Sequence, residues 1–207
     1  MDTREPLIHN LESLDKEHQQ LLKLALREVI QIVNSVSGPR IVDWYSDNGT
    51  TAMTGISRAV NHLLLDDFKD AGWEVPWRYF ELASQQATFE AGKTFDSSGA
   101  SLRIGLDFGT RHKQSSLAYL VRPTVLALNS LHTGNVQSAG IIIAFTKETL
   151  EWGLWNSANS TFETLSAELK LAGPIMSAPT CIIGVDPSPE LSISKNLDYG
   201  GLDFDLS

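Results

Sequence analysis

Asp107 is the residue whose type and setting best suit metal chemistry. It lies in Leu102–Val121, which reads LRIGLDFGTRHKQSSLAYLV. Apolar residues alternate with other residues at the start of this segment, which is the period of a half-buried strand. Gly109–Gln114 is polar and basic, which indicates a turn, and Leu117, Tyr119 and Val121 then alternate again. The pattern predicts a β-hairpin with Asp107 near the end of its first strand.

A hairpin of this kind suits metal-dependent phosphodiester hydrolysis if its second strand adds further ligands. Alternate residues of a strand share a face, so acids on two paired strands can reach one Mg²⁺ ion. The return strand would supply a second acid and, two residues later, Lys, Glu or Gln. This chain offers Ser116 and Ala118 there, and neither is a strong metal ligand. The predicted hairpin therefore has the shape of a nuclease site without its full ligand set.

Basic residues cluster in the predicted turn. Arg111, His112 and Lys113 are consecutive, and Arg103 and Arg122 flank them in sequence. Guanidinium and ammonium groups contact phosphate as bidentate and point-charge partners. These five residues are candidate DNA contacts, and the alternative is a turn that is simply solvated.

Composition limits the function classes. The chain has 207 residues and a net charge of −9, which argues against coating nucleic acid through bulk charge but allows a local basic patch. A single cysteine, Cys181, excludes an internal disulfide and a cysteine-based zinc site. No signal peptide or membrane-spanning run is recognisable, so a cytoplasmic protein without membrane contact is expected.

The chain is expected to form one domain, 1–207, with an N-terminal helical part at 1–54. Its acidic tail, 198–207, is either solvated or a docking segment built on Leu202, Phe204 and Leu206. Helical periodicity and end signals predict several helices, and Asp43–Thr54 is expected to be a loop. The predicted helices are Leu7–Ser35, Gly55–Ala71, Pro123–His132, Lys147–Trp155 and Thr161–Leu171. Two continuous apolar runs, Ala139–Phe145 and Cys181–Val185, predict buried strands, so the expected class is α/β (α+β) with a mixed sheet.

Four segments, in order, resemble a known family. They are GISRAVNHLLLDDFKDAGW, GLDFGTRHKQSSLAYLV, HTGNVQSAGIIIAFTKETLEW and STFETLSAELKLAGPIMSAPTCIIGVD, which together span roughly Gly55–Asp186. They are similar to the BglII/BamHI/BstYI group of type II restriction endonucleases, which have the PD-(D/E)XK nuclease fold. The resemblance implies a restriction-endonuclease-like fold, with a central mixed β-sheet flanked by helices, and a homodimer that grips duplex DNA.

The resemblance also implies site residues. Asp107 matches the first family acid, and Glu90 matches an upstream glutamate that some members use. In this register the second acid and the residue two positions later fall near Ser116 and Ala118, where both are missing. A second register makes Asp96 the first acid, Asp107 the second and Gly109 the third position. Asp96 and Asp107 would then hold the Mg²⁺ ion, which is expected only if the protein is catalytic.

Three functions follow as expectations. The first is a catalytically weakened DNA-recognition or partner subunit of a restriction or defence system, acting as a homodimer or with another chain. The second is an active Mg²⁺-dependent type II deoxyribonuclease that uses Glu90, Asp96 and Asp107. The third is a protein-interaction module with no nucleic-acid role.

Overall fold

The computed structural model describes residues 1–48, 55–78, 88–109, 116–130, 136–155, 160–196 and 201–207. The described α-helices are α1 (Lys16–Ser35), α2 (Gly38–Asn48), α3 (Ser57–Asp70), α4 (Ser116–Ser130), α5 (Lys147–Trp152) and α6 (Phe162–Ala172). The described strands are β1 (Asp2–Thr3), β2 (Leu7–His9), β3 (Trp77–Arg78), β4 (Thr88–Phe89), β5 (Ala91–Asp96), β6 (Ser101–Phe108), β7 (Val136–Phe145), β8 (Thr180–Asp186), β9 (Leu191–Lys195) and β10 (Leu202–Leu206).

The central sheet is mixed. Its strand order is β1–β8–β7–β6–β5, and β2 also pairs with β8. Strands β6, β7 and β8 are parallel, whereas β5, β1 and β2 are antiparallel to their neighbours. The apolar runs predicted as buried strands are confirmed as β7 and β8, which lie inside the sheet. Parallel strands covered on both faces need such continuous apolar sequences.

Helices cover the two faces of the sheet with separate cores. Leu22, Val29 and Val33 of α1 pack with Leu102 and Ile104 of β6 in the larger core, to which α3 also contributes. The smaller core is formed on the other face by residues from α4, β7, α6 and β8, namely Tyr119, Leu120, Ile142, Ala144, Leu165, Leu169 and Ile182. Because strand neighbours alternate between faces, Arg103, Gly105 and Asp107 lie on the α4–α6 side of β6.

The predicted return strand is wrong, because residues 116–130 form helix α4. Alternation over Leu117, Tyr119 and Val121 is too short to separate a strand from a helix that is apolar on most sides. Pro123, predicted as the start of a helix, lies inside α4. The strand that pairs antiparallel with β6 is β5, which precedes it, so the hairpin is formed by β5 and β6.

Other boundaries also differ from the expectations. The segment predicted as one helix from Leu7 contains strand β2, because Leu7–His9 pairs with β8, and α1 starts only after the cap residue Asp15. Helix α2 continues to Asn48, into the segment predicted as a loop. The helices predicted over Gly55–Ala71 and Thr161–Leu171 are confirmed as α3 and α6, and Thr161 caps α6 through its side chain.

The C-terminal residues are not simply a solvated tail. Strand β10 pairs antiparallel with β9, and Leu202 is buried while Phe204 is partly buried. Tyr45 of α2 stacks against Phe204 at a ring-centre distance of 5.2 Å. Among the described helices, none is long and apolar enough to cross a membrane.

Candidate functional site

Asp107 lies near the carboxyl end of β6 and is 1% exposed. The Nη1 atom of Arg122, on α4, donates a hydrogen bond of 2.7 Å to Asp107 Oδ1. The Arg122 side chain is itself 19% exposed, and its guanidinium lies 5.5 Å from the ring centre of Tyr119. A buried carboxylate needs a charged or hydrogen-bonding partner, and Arg122 is such a partner. The two residues are called the Asp107–Arg122 pair below.

A close approach of α4 to the sheet makes this pair possible. Pro123, next to Arg122, lies directly over Gly140 of β7, where a Cβ atom would come within 2.1 Å of Pro123 Cγ. Gly140 therefore has to be glycine for α4 to lie at this height. In the register of β6 and β7, Gly140 pairs with Gly105 and Ile142 pairs with Asp107. The Pro123–Gly140 contact is therefore on the same face of the sheet as Asp107, two residues earlier along the strands. Arg122 can therefore reach Asp107 across β7.

Glu90 lies at the end of the hairpin that carries Asp107. It directly precedes β5, whose first residue, Ala91, pairs with Leu106. The pairing ends there, because Glu90 is in a bend between β4 and β5. The Glu90 side chain is partly buried. The two acids are thus brought to the same end of the hairpin, although they are 17 positions apart in sequence.

Asp96 is at the other end of the hairpin, which corrects the predicted shared metal site. It pairs with Ser101 in the register, is exposed, and accepts a hydrogen bond from the Ser101 hydroxyl. Asp107 is six residues further along β6, or about 20 Å at the rise of a strand. Two carboxylates that share one Mg²⁺ ion each lie within about 2.1 Å of it. Asp96 and Asp107 therefore do not form one metal site.

Gly109, the third position of the second register, is buried beneath α6. A Cβ atom there would lie 2.8 Å from Leu165 Cδ1 and 3.4 Å from the carbonyl oxygen of Ile143. The Gly109 amide also donates to that carbonyl at 2.8 Å. A lysine or glutamine at this position would have to displace Leu165, which is fully buried. The space that a third catalytic side chain would need is filled by the α6 core.

The other predicted site residues do not add metal ligands beside Asp107 in the described part of the chain. Ser116 and Ala118 belong to the first turn of α4, so neither is on a strand beside Asp107. Arg103 is partly buried on the Asp107 face of β6, between Thr94 and Ser138 in the register. The basic residues Arg111, His112 and Lys113 lie outside the described residues. Within the described ranges, no three His, Cys, Asp or Glu side chains gather in a group that could hold a metal ion.

Comparison with solved structures identifies the fold. A crystal structure of restriction endonuclease BglII complexed with a DNA 16-mer matches with a TM-score of 0.62, covering 99% of this chain and 89% of that chain at 10% identity. The fold is restriction-endonuclease-like. Free BglII also matches, with a TM-score of 0.42, 12% identity and coverage of 99% and 93%. No protein-family model and no curated protein matches the sequence.

In this restriction-endonuclease-like fold, sequence reasoning missed the role of Arg122. The phosphate contact of Arg122 stays a prediction, and the bond from its Nη1 atom to Asp107 was not expected. The pair could have been predicted if residues 116–130 had been recognised as a helix. If residues 116–130 are read as a crossover helix between two parallel strands, the helix packs on the face that bears Asp107. Arg122 is the one basic residue in the α4 sequence, SLAYLVRPTVLALNS, and so the natural partner for a buried acid.

Proposed function

We propose that this protein is a catalytically weakened, DNA-binding member of a restriction or defence system that acts as a recognition or partner subunit. The observation that carries the proposal is the Asp107–Arg122 pair in a restriction-endonuclease-like fold. Asp107 is the buried acid at the end of the hairpin, and an arginine from the chain itself neutralises it at 2.7 Å. A guanidinium supplies the charge that a carboxylate would otherwise take from a metal ion.

The donor set fits Mg²⁺ poorly. Octahedral Mg²⁺ is bound in proteins through one or two carboxylates together with water and substrate oxygens. Here Asp107 would have to exchange Arg122 for the ion, and the position of Gly109 is closed by Leu165. Mg²⁺ is therefore expected only if the active alternative holds. Both features weigh against efficient hydrolysis.

An active type II deoxyribonuclease remains the second candidate, because one observation favours it. Glu90 directly precedes β5, so it and Asp107 are at the same end of the hairpin. Two carboxylates at one end of a hairpin are a donor set from which a Mg²⁺ site can be built. In the active alternative, Glu90 and Asp107 therefore replace Asp96 and Asp107 as the candidate metal ligands.

A cleavage assay separates these two functions. Wild-type protein and Asp107→Asn are incubated with a pool of duplex sequences in Mg²⁺ and, separately, in Mn²⁺. The weakened-site proposal expects no site-specific cutting by either protein. Cutting by the wild type that is lost in Asp107→Asn would establish the active alternative, because asparagine keeps the shape of the side chain and removes its charge.

DNA binding is tested by fluorescence anisotropy with a labelled duplex over a series of salt concentrations. Affinity should fall as salt rises, since phosphate contacts release counterions. The variant Arg111→Ala with Lys113→Ala should bind more weakly and reduce the salt slope by about one for each phosphate contact removed. Lys195→Ala, an exposed lysine on β9, is the control. A wild type that binds no duplex at low salt would instead favour the protein-interaction module.

Assembly is part of the same proposal. Two copies, or one copy and another chain, would present two recognition surfaces to the two strands of a duplex. The acidic balance of −9 is unusual for a protein that binds DNA alone and suits a subunit of an assembly.

A further inference from the structure

A cavity of about 330 Å³ lies between α5 and the first turn of α6, and it is called the α5–α6 cavity below. Its volume is at the lower end of the range of about 300–1,000 Å³ that small-molecule sites occupy. An apolar wall with a few convergent polar groups is the usual composition of such a site. The described lining has this composition, because Leu150 and Trp155 are joined there by the polar side chains of Lys147, Glu151, Thr161, Glu163 and Thr164.

The α5–α6 cavity is at the carboxyl edge of the parallel strands. Lys147 follows closely after Phe145, the last residue of β7, and β7 pairs with β6, which ends at Phe108. Because neighbouring parallel strands end at the same edge, the cavity and Asp107 share that edge. In α/β sheets with parallel strands, this edge is the usual place for a ligand. The cavity lining does not include the Asp107–Arg122 pair, so the cavity is a second candidate site there.

Core packing fixes the apolar wall of the cavity. Phe145 packs edge-on against Trp155, with the ring centres 4.3 Å apart. The Trp155 amide donates to the Leu150 carbonyl at 2.9 Å, so the two wall residues are joined through the backbone. Both side chains are buried, and only a small part of each is left to contact a ligand. A planar aromatic ring gains contact with such a wall at little cost in conformational entropy.

The polar groups of the cavity are mainly hydrogen-bond acceptors. Glu163 Oε2 accepts from the Lys147 backbone amide at 3.1 Å, and Arg4 Nη1 lies 3.5 Å from Glu163 Oε1. These two contacts hold the Glu163 carboxylate in place. Glu151 adds a second, exposed carboxylate and is therefore the more available acceptor. Carboxylates accept and do not donate, so they favour a ring that carries an exocyclic amino group.

Lys147 supplies a positive charge at the mouth of the cavity. Its Nζ atom lies 3.7 Å from Glu151 Oε1, and the two side chains are 77% and 71% exposed. An exposed ion pair of this kind stabilises the fold little, so Lys147 can exchange it for another anion at low cost. Lysine binds phosphate as a point charge. A nucleotide combines the three features that the cavity suits, namely a flat ring, an amino group and a phosphate.

We propose that the α5–α6 cavity binds a nucleotide whose base carries an exocyclic amino group. The base lies against Trp155 and Leu150, its amino group donates to Glu151, and the phosphate contacts Lys147. The nucleotide is either free in solution or part of a duplex from which its base is extruded. This site goes beyond the proposed function, since it depends neither on the Asp107–Arg122 pair nor on cleavage.

The first test measures binding of free nucleoside monophosphates by isothermal titration calorimetry. The adenosine, cytidine and guanosine forms carry the amino group, and the inosine and uridine forms are their deaminated counterparts. If the source is a free nucleotide, at least one aminated form should bind. Its deaminated counterpart should bind about tenfold more weakly, the factor expected for loss of one hydrogen bond to a charged group.

Three variants locate the binding in the cavity. Glu151→Ala removes the acceptor and should weaken binding by about tenfold. Glu148→Ala is the matched control, because Glu148 is exposed on the same helix and is not part of the cavity wall. Lys147→Gln should reduce the preference for a nucleoside monophosphate over the nucleoside without its phosphate. Thermal melting verifies that all three variants are folded.

The second test identifies the source of the nucleotide. A duplex is labelled with 2-aminopurine, a base that carries an exocyclic amino group and whose fluorescence rises when it leaves the base stack. A rise with wild type and Glu148→Ala, but not with Glu151→Ala, means that the nucleotide is extruded from DNA. Binding of a monophosphate without such a rise means that the nucleotide is free.

The proposal is overturned if both tests are negative, or if an aminated monophosphate and its deaminated counterpart bind equally. It is also overturned if Glu151→Ala matches the wild type in whichever test is positive. A protein that binds no duplex contradicts the proposed function, whereas the monophosphate titration still decides whether the cavity binds a nucleotide. The two failures are therefore distinguishable.

Discussion

The two ends of the β5–β6 hairpin carry an aspartate each, and the two are in opposite environments. Asp107 is buried and paired with an arginine from a packed helix, whereas Asp96 is exposed and accepts from the nearby hydroxyl of Ser101. Both lie on the same face of the same hairpin. The difference arises from what covers that face: α4 and α6 pack over the Asp107 end, and the Asp96 end adjoins the turn Ser97–Ala100.

The comparison shows that the hydration and charge pairing of each carboxylate depend on which elements pack over it, and not on the strand that carries it. At the open end, water solvates the charge, and the side chain contributes little to folding. At the covered end, the charge has lost most of its water and depends on its protein partners, among them Arg122. Changes at the two ends should therefore differ in cost by several-fold, and the following variants measure that difference.

The largest effect is expected from Arg122→Met. Methionine keeps much of the side-chain volume but leaves the Asp107 charge buried without its guanidinium, which should cost about 3 kcal/mol of unfolding free energy. Asp96→Asn should change it by less than about 0.5 kcal/mol, because its charge is in water. Urea denaturation of both variants gives the two values.

A double variant identifies the cause of that loss. If an uncompensated charge is responsible, Asp107→Asn combined with Arg122→Met should be more stable than Arg122→Met alone. Equal stability of the single and double variants would mean that Arg122 stabilises the fold through packing on Tyr119 instead.

A smaller effect is expected from glycine substitutions at the two ends. A Cβ atom on Gly92 would lie 2.0 Å from the ring of Trp77, in the half of the hairpin that leads to Glu90. Gly92→Ala should therefore displace the ring and cost about 1–3 kcal/mol. Gly99→Ala lies in the turn at the Asp96 end, where the nearest atom is a Glu17 carboxylate oxygen at 3.4 Å. Its melting temperature should stay close to that of the wild type.

The Arg40–Asp67 pair between α2 and α3 is intermediate in solvent exposure. Its side chains are 37% and 19% exposed, and Arg40 Nη1 lies 2.7 Å from Asp67 Oδ2. Because water screens this pair, Arg40→Ala should cost about 1 kcal/mol or less. If Arg40→Ala lowered the free energy of unfolding as much as Arg122→Met, burial of the ion pair would not be what determines the loss.

The same pair predicts a pH dependence. Burial alone would raise the pKa of the Asp67 carboxyl, but hydrogen bonds from Arg40 and Ser35 outweigh it and hold the pKa below its usual value of 3.8. A lowered folded-state pKa means that the stabilisation is complete above about pH 4 and is lost as pH falls through the folded-state pKa. The stability difference between wild type and Arg40→Ala should shrink below pH 4 in denaturant titrations.

The sequence predicts the sheet interior well and the covered site poorly. Ala139–Phe145 and Cys181–Val185 were predictable because a strand buried on both faces leaves a continuous apolar run. Residues 116–130 were not predictable as a helix, because α4 has apolar side chains towards the sheet and also on its exposed side. A helix of this composition lacks the one-sided pattern by which helices are recognised. Asp107 was found by its residue type, whereas the Asp107–Arg122 pair depends on where α4 packs.

Strand β2 was missed for a related reason. Leu7–His9 is three residues long and is defined by pairing with Ile182 and its neighbours in β8, more than 170 positions away. Local propensity contains no information about such a partner. The tail residues Leu202 and Phe204 were correctly singled out as apolar, but the pairing of β10 with β9 requires the hairpin as a whole.

The long-range pairing of β2 also determines the order in which the protein can be completed during synthesis. At about 5–20 residues per second, the ribosome delivers β8 many seconds after β2 has emerged. Until then β2 has no partner, and the β8 edge of the sheet does not exist. The β5–β6 hairpin and α1 can associate early, but the last strand pairs must close a loop of nearly the whole chain, which slows folding. The nascent protein therefore spends most of its synthesis with an incomplete sheet.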